Sequence, residues 1–222
     1  METARVLLAI AGKFPGDYTD GRFSAPEGDL TANLGRMPLL EEDGKYIGQS
    51  LAIYYYVASQ NGLMGNNAWD AAQILSIHEH VKELNAAFRT VVPWGAEPTV
   101  EALDKWFDGG ANDVTGVADG AGQSTRYLTW FMGRIEAALG NQGFAVGDKL
   151  SLADVLLFQV FGGYLKAEEA GDLPAFQRFP FTDKERTDAK LAAHPKIKAS
   201  VDAVANNANV QKWLAMRGVQ EF

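Results

Sequence analysis

The sequence contains no cysteine, which excludes disulfide bonds, cysteine nucleophiles and cysteine metal ligands. Basic residues are also few: 20 Lys and Arg against 28 Asp and Glu give a formal net charge of -8, which argues against nonspecific nucleic-acid binding. No apolar run approaches the roughly 20 residues that a membrane helix needs, so we expect no membrane insertion. The absence of cysteine also favours a reducing compartment, and we expect a cytoplasmic protein.

Motifs for metals and nucleotides are missing as well. The histidines nearest to each other, His78 and His80, would project from different faces of any helix that contains them. Helical metal sites place two ligands four residues apart, as in H-E-x-x-H. Neither a complete dinucleotide fingerprint nor a phosphate-binding loop motif occurs. We therefore expect neither a metal nor a nucleotide cofactor.

The chain is long enough for two domains. It has 222 residues, 47% of them hydrophobic, which is enough to bury a substantial core. Residues 63–68 read Leu-Met-Gly-Asn-Asn-Ala, a linker-like composition, and the character of the sequence changes there. We therefore divide the chain into a small α/β domain, residues 1–64, and an all-helical domain, residues 65–222.

The first domain is expected to combine helices with a hairpin. Apolar spacing predicts a helix over Thr3–Ala11. Two short runs flank Asp43-Gly44, which is the strongest short hairpin signal because both turn positions favour a positive φ. Ser50 is predicted to be the N-cap of a following helix that runs to Gly62.

The second domain is expected to be helical throughout. Apolar periodicity predicts its helices over residues 71–92, 127–139, 151–165, 196–204 and 210–216. Ser151 and Asp154 have the spacing of a capping box, and the apolar run after them predicts a helix buried at the domain centre. We assign this motif to folding rather than to function.

Two segments of the first domain are candidates for ligand binding. Met37-Pro38 lies at the mouth of the first hairpin strand; an X-Pro bond has only a small trans preference, but the residues alone favour an ordinary trans proline. Gln49-Ser50 lies where the hairpin ends and a helix begins, and the unpaired amides of a helix N-terminus suit a carboxylate. Taken alone, Ser50 is a simple helix cap, although the two roles are compatible.

Three consecutive tyrosines, Tyr54 to Tyr56, follow on the same helix. Consecutive helical positions face different directions, so part of the run belongs to the core and the rest meets solvent or a partner. We interpret the run as domain packing or a subunit interface rather than as catalytic.

In this order and spacing, the motifs resemble the cytosolic glutathione S-transferases, and the sigma-like group most closely. The matching segments span nearly the whole chain: 37–44 (Met-Pro-Leu-Leu-Glu-Glu-Asp-Gly), 49–53 (Gln-Ser-Leu-Ala-Ile), 147–154 (Gly-Asp-Lys-Leu-Ser-Leu-Ala-Asp), His194-Pro195 and Trp213-Leu214. The resemblance implies a thioredoxin-like first domain, an all-helical second domain and a homodimer that binds glutathione. It also implies a small hydrophobic electrophile as second substrate, bound among helical-domain side chains near Trp94 or Phe107.

The resemblance also implies which residues bind glutathione. Pro38 matches the family's cis-proline, and the backbone of Met37 would pair with the cysteinyl part of glutathione as an added strand does. Gln49 and Ser50 match the pair that holds the γ-glutamyl group, in agreement with the argument from the helix N-terminus.

An acidic residue of the neighbouring subunit reaches the amino group of glutathione in this family. Glu83 falls near that position, and Glu79 matches it less closely. Glu is longer than the family's usual Asp, so the match is loose. The resemblance therefore implies that Glu83 belongs to the glutathione site of a dimer.

The catalytic hydroxyl has no counterpart in this sequence. Sigma-like enzymes activate the glutathione thiol, which ordinarily titrates near ~8.5, with a tyrosine at the end of the first strand. Here a helix pattern follows Met1 directly, so the first domain is expected to lack that strand, and Tyr18 lies too late to replace its tyrosine. Two interpretations follow. In the first, the natural chain begins further upstream, and the protein is an enzyme that conjugates glutathione to small electrophiles or isomerises a small substrate. In the second, Met1 is the start of the chain, and the protein is a non-catalytic scaffold or a subunit of a larger assembly.

Overall fold

The computed structural model describes residues 1–21, 30–109, 126–163 and 180–217. This part of the chain contains nine α-helices and one two-stranded sheet. In chain order the elements are α1 (Glu2–Ile10), β1 (Leu39–Glu42), β2 (Lys45–Gly48), α2 (Ser50–Gln60), α3 (Ala68–Val91), α4 (Val100–Asp108), α5 (Leu128–Ala138), α6 (Leu152–Phe161), α7 (Lys184–Ala192), α8 (Pro195–Ala205) and α9 (Ala208–Met216), with 3-10 turns at Leu30–Asn33 and Pro180–Thr182.

The hairpin forms around the turn that the sequence predicts. β1 and β2 pair in antiparallel fashion with Glu42 opposite Lys45, and Asp43 and Gly44 have φ values of 52° and 73°. A positive φ at both central positions is the geometry that Asp-Gly turns favour, since it matches the twist of the two strands. The hairpin prediction is confirmed, and β2 leads almost directly into α2.

The helix α1 packs against helices that come from distant parts of the sequence. Val6, Leu7 and Ala9 are fully buried, and α1 packs against α2, α6 and α9. An apolar stripe of this kind is what an amphipathic surface helix presents to its core. The helix α1 is therefore held by contacts on more than one side.

The helix α6 lies at the centre of the helical part, as predicted. Every α6 residue except Gln159 is buried, and α3 and α8 pack against it. The capping box is present: Ser151 and Asp154 bond reciprocally at the start of α6. Because the helix is apolar on nearly every face, it is covered on all sides.

The structure differs from the sequence predictions at three helices. Neither α4 nor α7 was expected, and α7 buries only Thr187 and Leu191, so its apolar periodicity is weak. α6 ends at Phe161 rather than at residue 165, because Gly162 and Gly163 follow it. The last two residues of that predicted range, 164 and 165, lie outside the described residues.

Neither a membrane-spanning helix nor a metal-binding cluster occurs among the described residues. No helix in that part of the chain combines the length and apolar character needed to cross a membrane. Within the same residues, no three His, Cys, Asp or Glu side chains cluster in a way that could hold a metal ion.

Candidate functional site

The peptide bond between Met37 and Pro38 is cis. The residues alone favoured a trans bond, whereas the family resemblance implied cis, and the structure agrees with the resemblance. The carbonyl of Pro38 accepts a hydrogen bond of 2.8 Å from Nδ2 of Asn33. Met37 lies just before β1 with 36% of its surface exposed, so this segment is open to a ligand.

The N-terminus of α2 begins with Gln49 as N-cap and Ser50 as the first helical residue. This corrects the prediction that Ser50 is the N-cap, a shift of one position. The carbonyl of Gln49 accepts from the amide of Ile53 at 3.1 Å, but its side chain caps nothing. The amides of the first helical turn therefore have no acceptor within α2, and together with the helix dipole they favour an anion.

The residue Gln49 adopts an unusual backbone conformation. Its φ is 69°, in the left-handed region that side chains other than glycine seldom occupy. Its Nε2 donates to Oδ1 of Asn33 at 3.3 Å. Strained residues of this kind persist where their surroundings hold them, and they concentrate at ligand sites.

One residue that the sequence reasoning missed, Asn33, connects the two predicted binding segments. It is 4% exposed; Nδ2 donates to the carbonyls of Arg36 at 2.9 Å and Pro38 at 2.8 Å, and Oδ1 accepts from Gln49. The sequence feature that could have indicated this contact is Gly48, because a glycine inside a strand often marks a position that another part of the chain approaches closely. A Cβ at Gly48 would lie 2.4 Å from Cγ of Asn33.

A cavity of about 560 Å³ opens beside the α2 terminus, and we call it the central cavity. Thr3, Gln49, Ser50 and Tyr54 line it from the N-terminal elements. Its other walls are side chains of α3 and α6 together with Phe181. The volume is typical of a small-molecule site, and among the described lining residues polar side chains outnumber apolar ones.

The tyrosine run divides between the cavity and the surface. Tyr54 lines the central cavity, whereas Tyr55 is 47% exposed and the hydroxyl of Tyr56 donates to the carboxylate of Glu42. Burial raises the pKa of the Tyr54 phenol, and hydrogen bonding to Thr3 and Ser50 opposes this only in part. The Tyr54 phenol therefore stays protonated at neutral pH. Its place in the cavity wall was not part of the sequence interpretation of the run as domain packing or a subunit interface.

The two candidate glutamates lie at different places. Glu79 lines the central cavity; its carboxylate contacts Nδ1 of His78 at 3.1 Å and Nζ of Lys82 at 3.3 Å, and these hydrogen bonds lower its pKa. Glu83 lies instead at a second cavity, between α3, α4 and α5, and pairs with Arg126 at 3.4 Å. The structure thus does not bring Glu83 and Ser50 together within one chain, and a role across a dimer stays a prediction.

The two aromatic residues expected near the second substrate, Trp94 and Phe107, differ in their exposure to solvent. Trp94 is 70% exposed, and its ring lies 4.4 Å from Cζ of Arg89, which lines the central cavity. Phe107 is fully buried. Its ring centroid lies 6.5 Å from that of Phe181, so it supports the cavity wall from behind.

Comparison with known proteins places the chain among its relatives. Family models for the glutathione S-transferase N-terminal and C-terminal domains match residues 17–59 and 120–217. Probable glutathione S-transferase 7 of Caenorhabditis elegans is 32% identical over 227 aligned residues, covering 100% of this chain and 93% of that protein. Hematopoietic prostaglandin D synthase of Gallus gallus is 30% identical over 156 residues, covering 69% of this chain and 68% of that protein.

Solved structures agree with the sequence relatives. Monomeric Na-GST-3, a glutathione S-transferase from the hookworm Necator americanus, has a TM-score of 0.69 and 25% identity, covering 100% of this chain and 93% of that one. A Nu-class enzyme from Haemonchus contortus has a TM-score of 0.68 at 25% identity over the same shares. The N-terminal part is thus thioredoxin-like with a short two-stranded sheet, a helical C-terminal part follows it, and the chain belongs to the glutathione S-transferase family.

Proposed function

We propose that this chain binds glutathione and conjugates it to small hydrophobic electrophiles held in the central cavity. The observation that carries the proposal is the position of that cavity. Gln49 and Ser50 line it from one side, and apolar side chains of α3 and α6 line it from the other. A peptide anchored at the α2 terminus therefore reaches the same space as an apolar second substrate.

The proposed binding mode uses both predicted segments. The γ-glutamyl carboxylate accepts hydrogen bonds from the first-turn amides of α2 and from the hydroxyl of Ser50, because charged acceptors bind strongly there. The cysteinyl unit pairs with the exposed backbone of Met37 as an added strand. Asn33 acts as a positioning residue, since it holds the carbonyl of Pro38 and the side chain of Gln49.

The proposed reaction requires the thiolate of glutathione. Its sulfur attacks the electrophilic carbon and forms a thioether, while the leaving group departs or a double bond takes up a proton. A free thiol has a pKa of about 8.5, so hydrogen-bond donors near the sulfur are needed to favour the anion at neutral pH. Thr3, Ser50 and Tyr54, which all carry hydroxyls, line the central cavity.

The proposal extends to the assembly and to a second reaction. We propose a sigma-like, cytoplasmic homodimer in which Glu83 reaches the amino group of the neighbouring subunit's glutathione. Glu83 is exposed and lines the second cavity rather than the central one. Isomerisation of a small substrate is the second candidate reaction, and the similarity to a prostaglandin D synthase favours testing it.

The test is a calorimetric titration of glutathione combined with a conjugation assay on a chlorinated nitrobenzene. Ser50→Ala should weaken glutathione binding about tenfold, because it removes a hydrogen bond to a charged group. Ser59→Ala, an exposed position on the same helix, should leave the affinity unchanged. Equal glutathione affinities in the two variants would contradict the assignment of Ser50 to the site. Glutathione binding without turnover in the conjugation assay would support the scaffold alternative.

A further inference from the structure

A histidine of α3 lies in the same cavity wall as the N-terminus of α2. His78 lines the central cavity together with Gln49 and Ser50, and its side chain is 12% exposed. Histidine can both accept and release a proton near neutral pH. Its presence in a cavity that would hold a thiol substrate therefore raises the question of proton transfer.

A carboxylate orients the ring of His78. Nδ1 lies 3.1 Å from Oε1 of Glu79, whose other oxygen, Oε2, lies 3.3 Å from Nζ of Lys82. The hydrogen bonds to His78 and Lys82 lower the pKa of Glu79, so this carboxylate is ionised at neutral pH. Because an ionised carboxylate can only accept a hydrogen bond, the hydrogen of the neutral imidazole lies on Nδ1.

The second ring nitrogen, Nε2, is therefore the proton acceptor of the neutral ring. Among the residues that the structure describes, Nε2 has no hydrogen-bond partner. A base whose other nitrogen is held by a third group is the arrangement that activates the nucleophile in Ser-His-Asp and Cys-His sites. This chain contains no cysteine, so a thiol nucleophile beside His78 has to come from the ligand.

The other charged or titratable groups in the cavity wall are poor proton acceptors. Besides His78 and Glu79, those among the described lining residues are Tyr54 of α2 and Lys82 and Arg89 of α3, whereas α1 and α6 contribute none. Burial raises the pKa of Tyr54, so its phenol keeps its proton. Lysine and arginine side chains are cations that can only donate. Of these side chains, His78 is the base best suited to neutral pH.

We propose that His78 is the general base that deprotonates the thiol of glutathione, with Glu79 as its positioning residue. The inference rests on the proposed function, since it assigns the proton acceptor of the same reaction. The S–H bond breaks, the proton forms a bond to Nε2, and the sulfur keeps the electron pair with which it attacks the electrophile. The charge of Glu79 stabilises the imidazolium, which in turn stabilises the thiolate. With a chlorinated nitrobenzene, chloride departs and the imidazolium releases its proton to solvent.

The experiment compares the wild type with His78→Gln in three measurements. Conjugation of glutathione to a chlorinated nitrobenzene should slow about hundredfold, because general base catalysis contributes about that factor or more. The thiolate absorbance of bound glutathione, followed against pH without an electrophile, gives the pH at which half of the thiol is ionised. That midpoint should rise in His78→Gln toward the free-thiol value of about 8.5. S-methylglutathione has the same anchoring groups but no thiol proton, so its calorimetric affinity should stay within about twofold.

Two further variants separate proton transfer from structure. His80→Gln is the matched control, because His80 is an exposed residue of α3 that is not among the described lining residues; it should change none of the three measurements. Glu79→Gln should slow conjugation at least about tenfold and raise the thiol midpoint, because an amide neither fixes the tautomer nor stabilises the imidazolium. A merely structural role of Glu79 would leave that midpoint unchanged.

The possible failures are distinguishable. An unchanged rate and an unchanged thiol midpoint in His78→Gln would overturn the inference and leave the proposed function intact. A loss of S-methylglutathione affinity in His78→Gln as large as its loss of rate would also overturn the inference, since His78 would then anchor the peptide. A wild type that binds neither glutathione nor S-methylglutathione would contradict the proposed function, and the inference with it.

Discussion

Glu2 and Trp213 are joined by a hydrogen bond of 2.8 Å from the indole Nε1 to Oε1, although 211 positions separate them. The same oxygen accepts from Nη1 of Arg217 at 2.9 Å, and the Arg217 side chain is only 4% exposed. These contacts fasten α1 to α9. Because Thr3 on α1 lines the central cavity, the pair also fixes one wall of the site.

Glu2→Ala should lower the free energy of unfolding by about 2–4 kcal/mol. The substitution leaves a buried guanidinium without its carboxylate, which is far more costly than losing an exposed pair. Urea denaturation followed by circular dichroism measures the change. The control is Glu101→Ala, whose carboxylate is 85% exposed and lies 3.7 Å from Lys105; it should cost less than about 0.5 kcal/mol. Similar losses in both variants would contradict the role of Glu2.

Gly48→Ala should disturb the glutathione site from outside it. The new Cβ would lie 2.4 Å from Cγ of Asn33, so the side chain that holds Pro38 and Gln49 must move. Overpacking of this kind costs about 1–3 kcal/mol. We expect a loss of stability of that size together with weaker glutathione binding, measured by thermal unfolding and calorimetric titration.

The matched control for that substitution is Gly133→Ala. Gly133 lies on α5, and a Cβ there would meet no atom within 4 Å. Replacing a helical glycine by alanine at an open position stabilises by about 0.5–1 kcal/mol. The two alanines should therefore act in opposite directions, and a stabilised Gly48→Ala variant would show that Asn33 is not held in place.

Asp154→Asn should destabilise the fold without touching the ligand site. Oδ1 accepts from the amide of Ala145 at 2.7 Å and from Ser200 at 2.6 Å, while Oδ2 accepts from the amide and hydroxyl of Ser151 at 2.9 and 2.8 Å. In asparagine, one of the two carboxylate oxygens is replaced by an NH2 group. That group would face the two hydrogen-bond donors that the oxygen now accepts from.

We expect the asparagine variant to lose about 3 kcal/mol, since buried donors left unpaired carry their full desolvation cost. Urea denaturation gives the loss of stability. Asp202→Asn makes the same change at the exposed Lys198–Asp202 pair and should be nearly neutral. At a temperature where both variants are folded, their glutathione affinities should match that of the wild type. A weaker affinity in Asp154→Asn alone would show that the motif reaches the site.

The parts of the fold that the sequence predicted are those with a local physical cause. Asp43-Gly44 specifies its turn through two positive φ values, and Ser151 with Asp154 specifies a helix start through reciprocal hydrogen bonds. The helix α7 was missed because it buries only Thr187 and Leu191. A helix that is polar on most faces has no apolar period to detect.

Only those parts of the site that consist of neighbouring residues could be predicted from the sequence. Gln49 and Ser50 are neighbours in sequence, so their place at a helix N-terminus follows from the local pattern. The role of Asn33 depends on a contact that the fold creates, with Gln49 across 16 positions. No periodicity or spacing encodes such contacts.

Tyr54→Phe should change how the stability of the protein depends on pH at the alkaline end. Burial raises the pKa of the phenol in the folded protein, whereas in the unfolded chain it titrates near about 10. The folded state therefore keeps this proton to a higher pH than the unfolded chain does. The resulting contribution to the free energy of unfolding is complete below a pH of about 10 and is lost as the pH rises through the folded-state pKa.

The measurement is the free energy of unfolding between pH 9 and 11, roughly the range around the unfolded-state pKa of Tyr. The value for the wild type should fall more steeply than that for Tyr54→Phe, by at most about 1.4 kcal/mol per pH unit. Tyr55→Phe, at the exposed neighbouring position, is the control and should follow the wild type, and parallel curves for all three proteins would show that Tyr54 is not buried in its protonated form.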